Sequence, residues 1–252
     1  MKYILFEAGP VTVYSYGLMI ALGVILTFVV AQKRAKNYGL DPDAIFYMGA
    51  WGLLAGILGA KLLFYLTEIK EIIKDPSLLL NVSEGFVVYG GIIGGILGAY
   101  IYAKIKKIDI LAYFDLAVPS IAFAQGFGRI GCLLAGCCYG KETSGAFSIT
   151  FHTSAFAPNG VALVPTQIYS SILDFLHYGL LLLILRSQKK DGETAAAYLI
   201  FYSAGRFVLE FFRGDLARGS VGVLSTSQFI SVFTFFAGIV LLVQRKHALE
   251  RV

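Results

Sequence analysis

Long apolar stretches alternate with short charged ones along almost the whole chain. Charge-poor runs lie near residues 11–31, 44–66, 86–103, 110–136, 166–185, 195–212 and 221–243. Each approaches the roughly 20 residues that an α-helix needs to cross a bilayer. The pattern predicts an all-α integral membrane protein, a bundle of about seven transmembrane helices forming a single domain over residues 1–252. The run from Ala8 to Gln32 has no charge and is followed by Lys33, Arg34 and Lys36. A cleavable signal carries its positive charges before its apolar core, so this run reads as a retained first span.

The connections set the direction. With the amino terminus outside, the inner side holds Lys33, Arg34, Lys36, Lys104, Lys106, Lys107, Arg186, Lys189, Lys190, Arg245, Lys246 and Arg251, twelve of the 21 basic residues. The outer side holds six, Lys2, Lys70, Lys74, Lys141, Arg213 and Arg218, and Lys61, Arg129 and Arg206 sit within or at the ends of spans. Inward connections are the basic ones in membrane proteins, which puts the amino terminus outside and the carboxyl terminus in the cytoplasm. Two outer segments have substance. The one near 67–84 is polar and mixed in charge and reads as a short interfacial helix. The one near 139–165 is punctuated by turn residues.

Composition agrees with this picture. Hydrophobic residues make up 57% of the chain and charged ones 15%, too little charge to wet a soluble surface. The net charge of +5 follows from the topology, so nucleic acid is not expected as a partner. Three cysteines, Cys132, Cys137 and Cys138, are too few and too clustered for a disulfide scaffold.

The segment Gly126-Phe127-Gly128-Arg129-Ile130-Gly131 matches a dinucleotide-binding pattern, yet it ends an apolar span and lacks the strand and acidic residue that the pattern requires. Its glycines read instead as clearance for a lipid headgroup or a neighbouring helix. Gly52 and Gly56, Gly90 and Gly94, Gly91 and Gly95, and Gly94 and Gly98 are spaced for close helix packing, which marks the third span as central.

Ionisable residues inside spans are functional candidates because hydrocarbon penalises charge. They are Lys61, Asp115, Arg129, Asp174, His177, Arg206 and Glu210. Arg206 and Glu210 are four apart on one helical face and read as an ion pair. A guanidinium keeps its charge and forks onto phosphate, so Arg206 and the glycine-flanked Arg129 suit an anionic phospholipid headgroup. Lys61, Asp115 and Asp174 lack local partners and are open to pairing with one another. His177 reads as a hydrogen-bonded core histidine and His152 as solvated.

Five motifs, in order along nearly the whole chain, resemble the prolipoprotein diacylglyceryl transferases. They are Ser15-Tyr16-Gly17, Tyr89-Gly90-Gly91, Gly128-Arg129-Ile130-Gly131, Pro165-Thr166-Gln167-Ile168-Tyr169 and the run from Gly205 to Arg213. The resemblance implies a multi-pass protein of the bacterial cytoplasmic membrane, with phosphatidylglycerol, the lipobox-containing signal peptide of a prolipoprotein and membrane lipids as partners. The diacylglyceryl group would move to the lipobox cysteine thiol at the outer face, releasing glycerol phosphate, with no cofactor and no metal. By motif, Arg129 and Arg206 would hold the phosphate, Tyr16 and Gln167 would line the cavity, and Glu210 would orient Arg206. Gly90, Gly91, Gly128 and Gly131 would border the substrate.

The chain departs from that family in one respect that touches the chemistry. The family has a histidine before the paired glycines of the third span, where this chain has Tyr89. It has asparagine, asparagine and glutamate where Cys132, Ala135 and Cys137 stand. A phenol ionises near pH 10 and is a weak base at neutrality. A catalytic Tyr89 therefore requires that Arg129 lower its pKa. Otherwise the substrate thiol ionises in the field of the arginines.

The cysteines admit three readings: small packing residues, an outer-face disulfide, or a metal or redox role. A transferase with another lipid donor or acceptor, a lipid or solute transporter, and a thiol–disulfide enzyme are the competing functions. Inverted repeats, which a transporter would favour, are not apparent. A redox enzyme leaves Arg129 and Arg206 without a role.

Overall fold

Helices form at all seven predicted places. The computed structural model describes residues 3–9, 11–80, 85–215 and 219–250. Lys2, Arg218 and Arg251, used above for orientation, and residues 81–84 of the first outer segment lie outside the described residues. The chain opens with an antiparallel ribbon, β1 (Ile4–Ala8) and β2 (Val11–Tyr14), so the first span becomes helical at Ser15 rather than at residue 11. The Ser15 hydroxyl and amide both donate to the Tyr3 carbonyl, tying the helix start to the ribbon. The long helices that follow are α1 (Ser15–Asn37), α2 (Pro42–Thr67), α4 (Val88–Lys106), α5 (Ile110–Ala135), α6 (Thr166–Ser187), α7 (Glu193–Glu210) and α8 (Thr226–Glu250). Between α2 and α4 come a short helix, α3 (Ile69–Lys74), and a 3-10 turn, Pro76–Leu79, in the segment expected to be interfacial. Two small ribbons, β3 (Ile149–Thr150) with β4 (Ala162–Leu163) and β5 (Ser220–Val221) with β6 (Leu224–Ser225), lie in the later loops.

Among the described residues, six helices are long and apolar enough to cross a membrane: α1, α2, α4, α5, α6 and α8. The remaining predicted span, the sixth in chain order, is α7, an 18-residue helix that carries Glu193, Arg206 and Glu210. The chain is a multi-pass membrane protein. Where its sequence suggests one domain, it divides into two compact units, Ala31–Tyr113 and the remainder, Met1–Val30 with Phe114–Val252.

In the smaller unit, α2 starts with Asp41 accepting the Asp43 amide at 2.9 Å and Pro42 in the first turn, where a missing N–H costs nothing. Its glycines then meet those of α4. A methyl group on Gly56 would lie 3.1 Å from the Gly91 carbonyl oxygen, and one on Gly98 would lie 2.8 Å from that of Trp51. At Gly59, Gly90 and Gly94 an added carbon would overlap the facing backbone outright. The glycine spacing makes this pairing, in which backbones touch because no side chain intervenes. Lys61 lies over the rings of Phe64, Tyr65 and Phe86 at 5.1–5.2 Å, a cation–π arrangement.

In the larger unit, α5 packs close to the start of the chain. A carbon on Gly23 of α1 would stand 3.1 Å from Phe127 Cβ, and the Thr27 hydroxyl donates to the Ser120 carbonyl at 2.8 Å. Asp115 of α5 is fully buried and bonds to main-chain amides. Its two oxygens accept the backbone amides of Gly192 and Ala195 at 2.6 and 2.7 Å, at the entrance to α7. The first amides of a helix have no partner within it and carry the positive end of its dipole, so a carboxylate there satisfies both. The segment 139–165 has a small core of its own, Phe151, Ala157 and Leu163, packed with Tyr139 and Ile149.

Two stability results follow. Gly59→Ala or Gly94→Ala forces α2 and α4 apart, costing about 1–3 kcal/mol by overpacking, whereas Gly17→Ala, in open space, leaves the apparent Tm of the detergent-purified protein unchanged. Asp115→Ala strips two buried amides of their acceptor and costs about 2 kcal/mol. Asp115→Asn, which keeps one acceptor oxygen, lowers the Tm less in the same melt.

Candidate active site

Ser170, Asp174 and His177 recur at four and three residues on α6, and Tyr202 and Arg206 at four on α7, so each set projects from one face of its helix. These faces and Arg129 of α5 line a cavity of about 360 Å³, a volume suited to a small polar group. Leu173, Leu176, Leu180, Phe201 and Leu209 make its apolar walls. Such walls keep water away from the charges and strengthen every electrostatic interaction inside.

The two arginines are held differently. Arg206 Nη2 lies 2.8 Å from Glu210 Oε2, one turn along α7, and donates to the Ser227 hydroxyl of α8 at 2.9 Å. The pair is largely buried, with 14% and 8% of the side chains exposed. Arg129 is half-buried beside Gly128, where an added Cβ would meet nothing within 4 Å. Asp174 is the carboxylate within reach of both arginines. His177 stacks on Tyr198 at 5.3 Å and 10° between planes, and its Nε2 has no hydrogen-bond partner among the described residues. It is therefore a cavity-wall imidazole, not the hydrogen-bonded core histidine expected.

A second cluster sits where α5 ends. Gly136 and Cys138 both take positive φ, +76° and +62°, folding the chain back on the helix end. The Cys137 amide donates to the Cys132 carbonyl at 3.1 Å. From α6, the Thr166 hydroxyl donates to the Cys138 carbonyl at 2.9 Å and the Gln167 side-chain amide to that of Cys137 at 2.8 Å. The three sulfur atoms lie within 4.8 Å of one another, all as thiols. Hydrogen bonds from Cys132 and Cys137, with the Arg213 guanidinium close by, push the Cys138 thiol well below the usual thiol range. Arg213 also grips Asp215 through two bonds of 2.8 and 2.7 Å.

The other expected site residues fall as follows. Gln167 does not line the cavity; it is buried and spends its amide on the cysteine loop. Tyr16 lies against Gly131, whose added carbon would be 3.1 Å from the ring. Glu210 orients Arg206, as its spacing indicates. Tyr89, half-buried in the first turn of α4, Gly90 and Gly91 belong to the smaller unit, where Gly90 is pressed against Gly59. Tyr202 was missed by the sequence reading, although its place four residues before Arg206 puts it on the same face.

A family model described as prolipoprotein diacylglyceryl transferase matches residues 3–244. The phosphatidylglycerol–prolipoprotein diacylglyceryl transferase of Clostridium tetani is 51% identical over 95% of this chain and 96% of its own. A relative from Clostridium perfringens, carrying the same name with the suffix 2, is 49% identical over 96% and 94%. One from Finegoldia magna is 32% identical over 98% and 96%. With these matches across nearly its full length, the chain belongs to the prolipoprotein diacylglyceryl transferase family.

Proposed function

We infer that this chain transfers the diacylglyceryl group of phosphatidylglycerol to the lipobox cysteine thiol of a prolipoprotein. The observation that carries the reading is the pair of guanidiniums, from α5 and α7, on one apolar-walled cavity. In the reaction the thiol sulfur attacks the glyceryl carbon next to the phosphate. The carbon–oxygen bond breaks, a thioether forms and glycerol phosphate leaves with the bonding pair, while the thiol proton is given up. Charge grows on the departing phosphate. Arg129 and Arg206 are the groups assigned to bind the phosphate in the ground state and to stabilise that growing charge. Glu210 and Ser227 fix Arg206 so that it need not reorganise as the bond breaks. The donor is a bilayer lipid, so catalysis is placed at the outer face of the bacterial cytoplasmic membrane. The orientation read from the basic residues, amino terminus outside and carboxyl terminus in the cytoplasm, is part of the same proposal.

Tyr89 occupies the place of the family's histidine, and no proton-transfer role is assigned to it. A phenol is a weak base near neutrality, and the sulfur can gain its charge by other means.

The purified protein, given phosphatidylglycerol and a lipobox peptide, yields a diacylglyceryl–peptide adduct by mass spectrometry. Arg129→Ala and Arg206→Ala each lower the rate at least about 100-fold, the scale of losing one charge-stabilising donor. Arg206→Lys, a point charge without the fork, recovers little of it. Tyr89→Phe keeps the rate and the pH–rate profile of the wild type. A lower rate with a shifted profile would restore Tyr89 as the base.

A further inference from the structure

Three thiols converge beside Arg129 in a chain that has lost the family's histidine, and nothing in the reaction so far uses them. Their placement is imposed by the backbone and not by a disulfide, since all three are free thiols. The loop carbonyls of Cys137 and Cys138 are clamped from α6 by Gln167 and Thr166, and Cys138 is held at φ +62°, which side chains rarely adopt. Sulfurs separated by no more than 4.8 Å need only small side-chain rotations to meet one ion. Zinc–sulfur bonds of about 2.3 Å place three sulfurs around one ion at edges of about 4 Å. Cys132 is buried, while Cys137 and Cys138 are half-buried, so the trio is closed on one side and open on the other.

We propose that Cys132, Cys137 and Cys138 form a binding site for one thiophilic metal ion of the zinc class, whose open fourth position takes the acceptor cysteine thiol of the prolipoprotein. The proposal rests on the transferase reading above and names the group that activates its nucleophile. Metal sites with three protein ligands and one open position are the catalytic kind, and a thiol bound to such an ion loses its proton outright. Thiolate, not thiol, is the nucleophile in sulfur chemistry. Coordination releases the acceptor's proton to solvent. The bound sulfur then attacks the glyceryl carbon, the carbon–oxygen bond breaks, and the phosphate departs with the electron pair. No electron is gained or lost by the metal. Three thiolates and one acceptor thiolate around a dication leave an excess of two negative charges, which keeps the sulfur electron-rich. Arg129 lies within electrostatic reach of Cys132 and Cys138 and tempers that excess.

The full-length protein, reduced and purified in detergent, is titrated with Cd²⁺ and followed by sulfur-to-cadmium charge-transfer absorption. One ion per chain is expected for the wild type, with affinity at least about 100-fold weaker in Cys137→Ser. The half-buried position of Cys137 and an unchanged melt would show that this variant folds. In parallel, transfer to the lipobox peptide is measured after chelator treatment and after restoring Zn²⁺. The rate is expected to fall at least about 10-fold and to return with zinc. Below pH 8 the stripped protein's rate should follow ionisation of the peptide thiol, while the loaded protein's stays flat. Full activity after stripping, or no stoichiometric Cd²⁺ band, overturns the proposal and leaves the transferase reading intact. Absence of transfer from every form while Cd²⁺ still binds overturns the transferase reading and, with it, the metal's role in activation.

Discussion

A guanidinium cannot shed its charge, and in an apolar bundle that permanence governs what must surround it. An unpaired arginine at mid-span costs about 3 kcal/mol or more. Arg206 meets this cost with a carboxylate from its own helix and a hydroxyl from α8, while Asp174 of α6 faces both it and Arg129. The cavity thus presents two fixed cations with Asp174 on its wall, and Glu210 pairs Arg206 from one turn along α7. An incoming phosphodiester enters a site whose cations are already placed, and the energy it would spend ordering flexible side chains is saved for the bond-breaking step. The placement depends on α7 standing correctly against α5, and Asp115, bonded to the first amides of α7, is the contact that sets it.

Much of this was legible in the order of residues. The apolar runs located the helices, because length and charge content alone decide what can span a bilayer. The four-residue glycine spacing announced a close helix pair, and the Arg206–Glu210 spacing announced an ion pair, because both are local to one or two helices. Arg129 is marked by its glycine neighbours, and it lines the cavity with Arg206.

What stayed hidden was every contact that bridges distant parts of the chain. Asp115 looked like a candidate for charge pairing because its partners are amides 77 and 80 residues away, and amides leave no mark in a sequence. Gln167 sits in a family motif and was read as a cavity residue, yet its amide reaches back 30 residues to a loop carbonyl. Tyr202 lacked a charge to draw notice. The start of the first span was misplaced for a local reason: Val11 to Tyr14 is apolar enough for a span but alternates as a strand, and the ribbon with Ile4–Ala8 captures it.

The cysteine loop joins these two kinds of information. Taken position by position, cysteine for asparagine and cysteine for glutamate are losses, since a thiol is a poorer hydrogen-bond partner than either. Taken together they are a substitution of one chemistry for another. Where the family resemblance implies polar groups at positions 132 and 137, this loop has cysteines, with Cys138 beside them, and Tyr89 stands where the resemblance implies a histidine. The main-chain clamps from Thr166 and Gln167 do not depend on what the cysteine side chains are, because they end on carbonyl oxygens. A loop held by its backbone can exchange its side chains without losing its shape. That independence is what allows a loop of this backbone shape to present three thiols side by side.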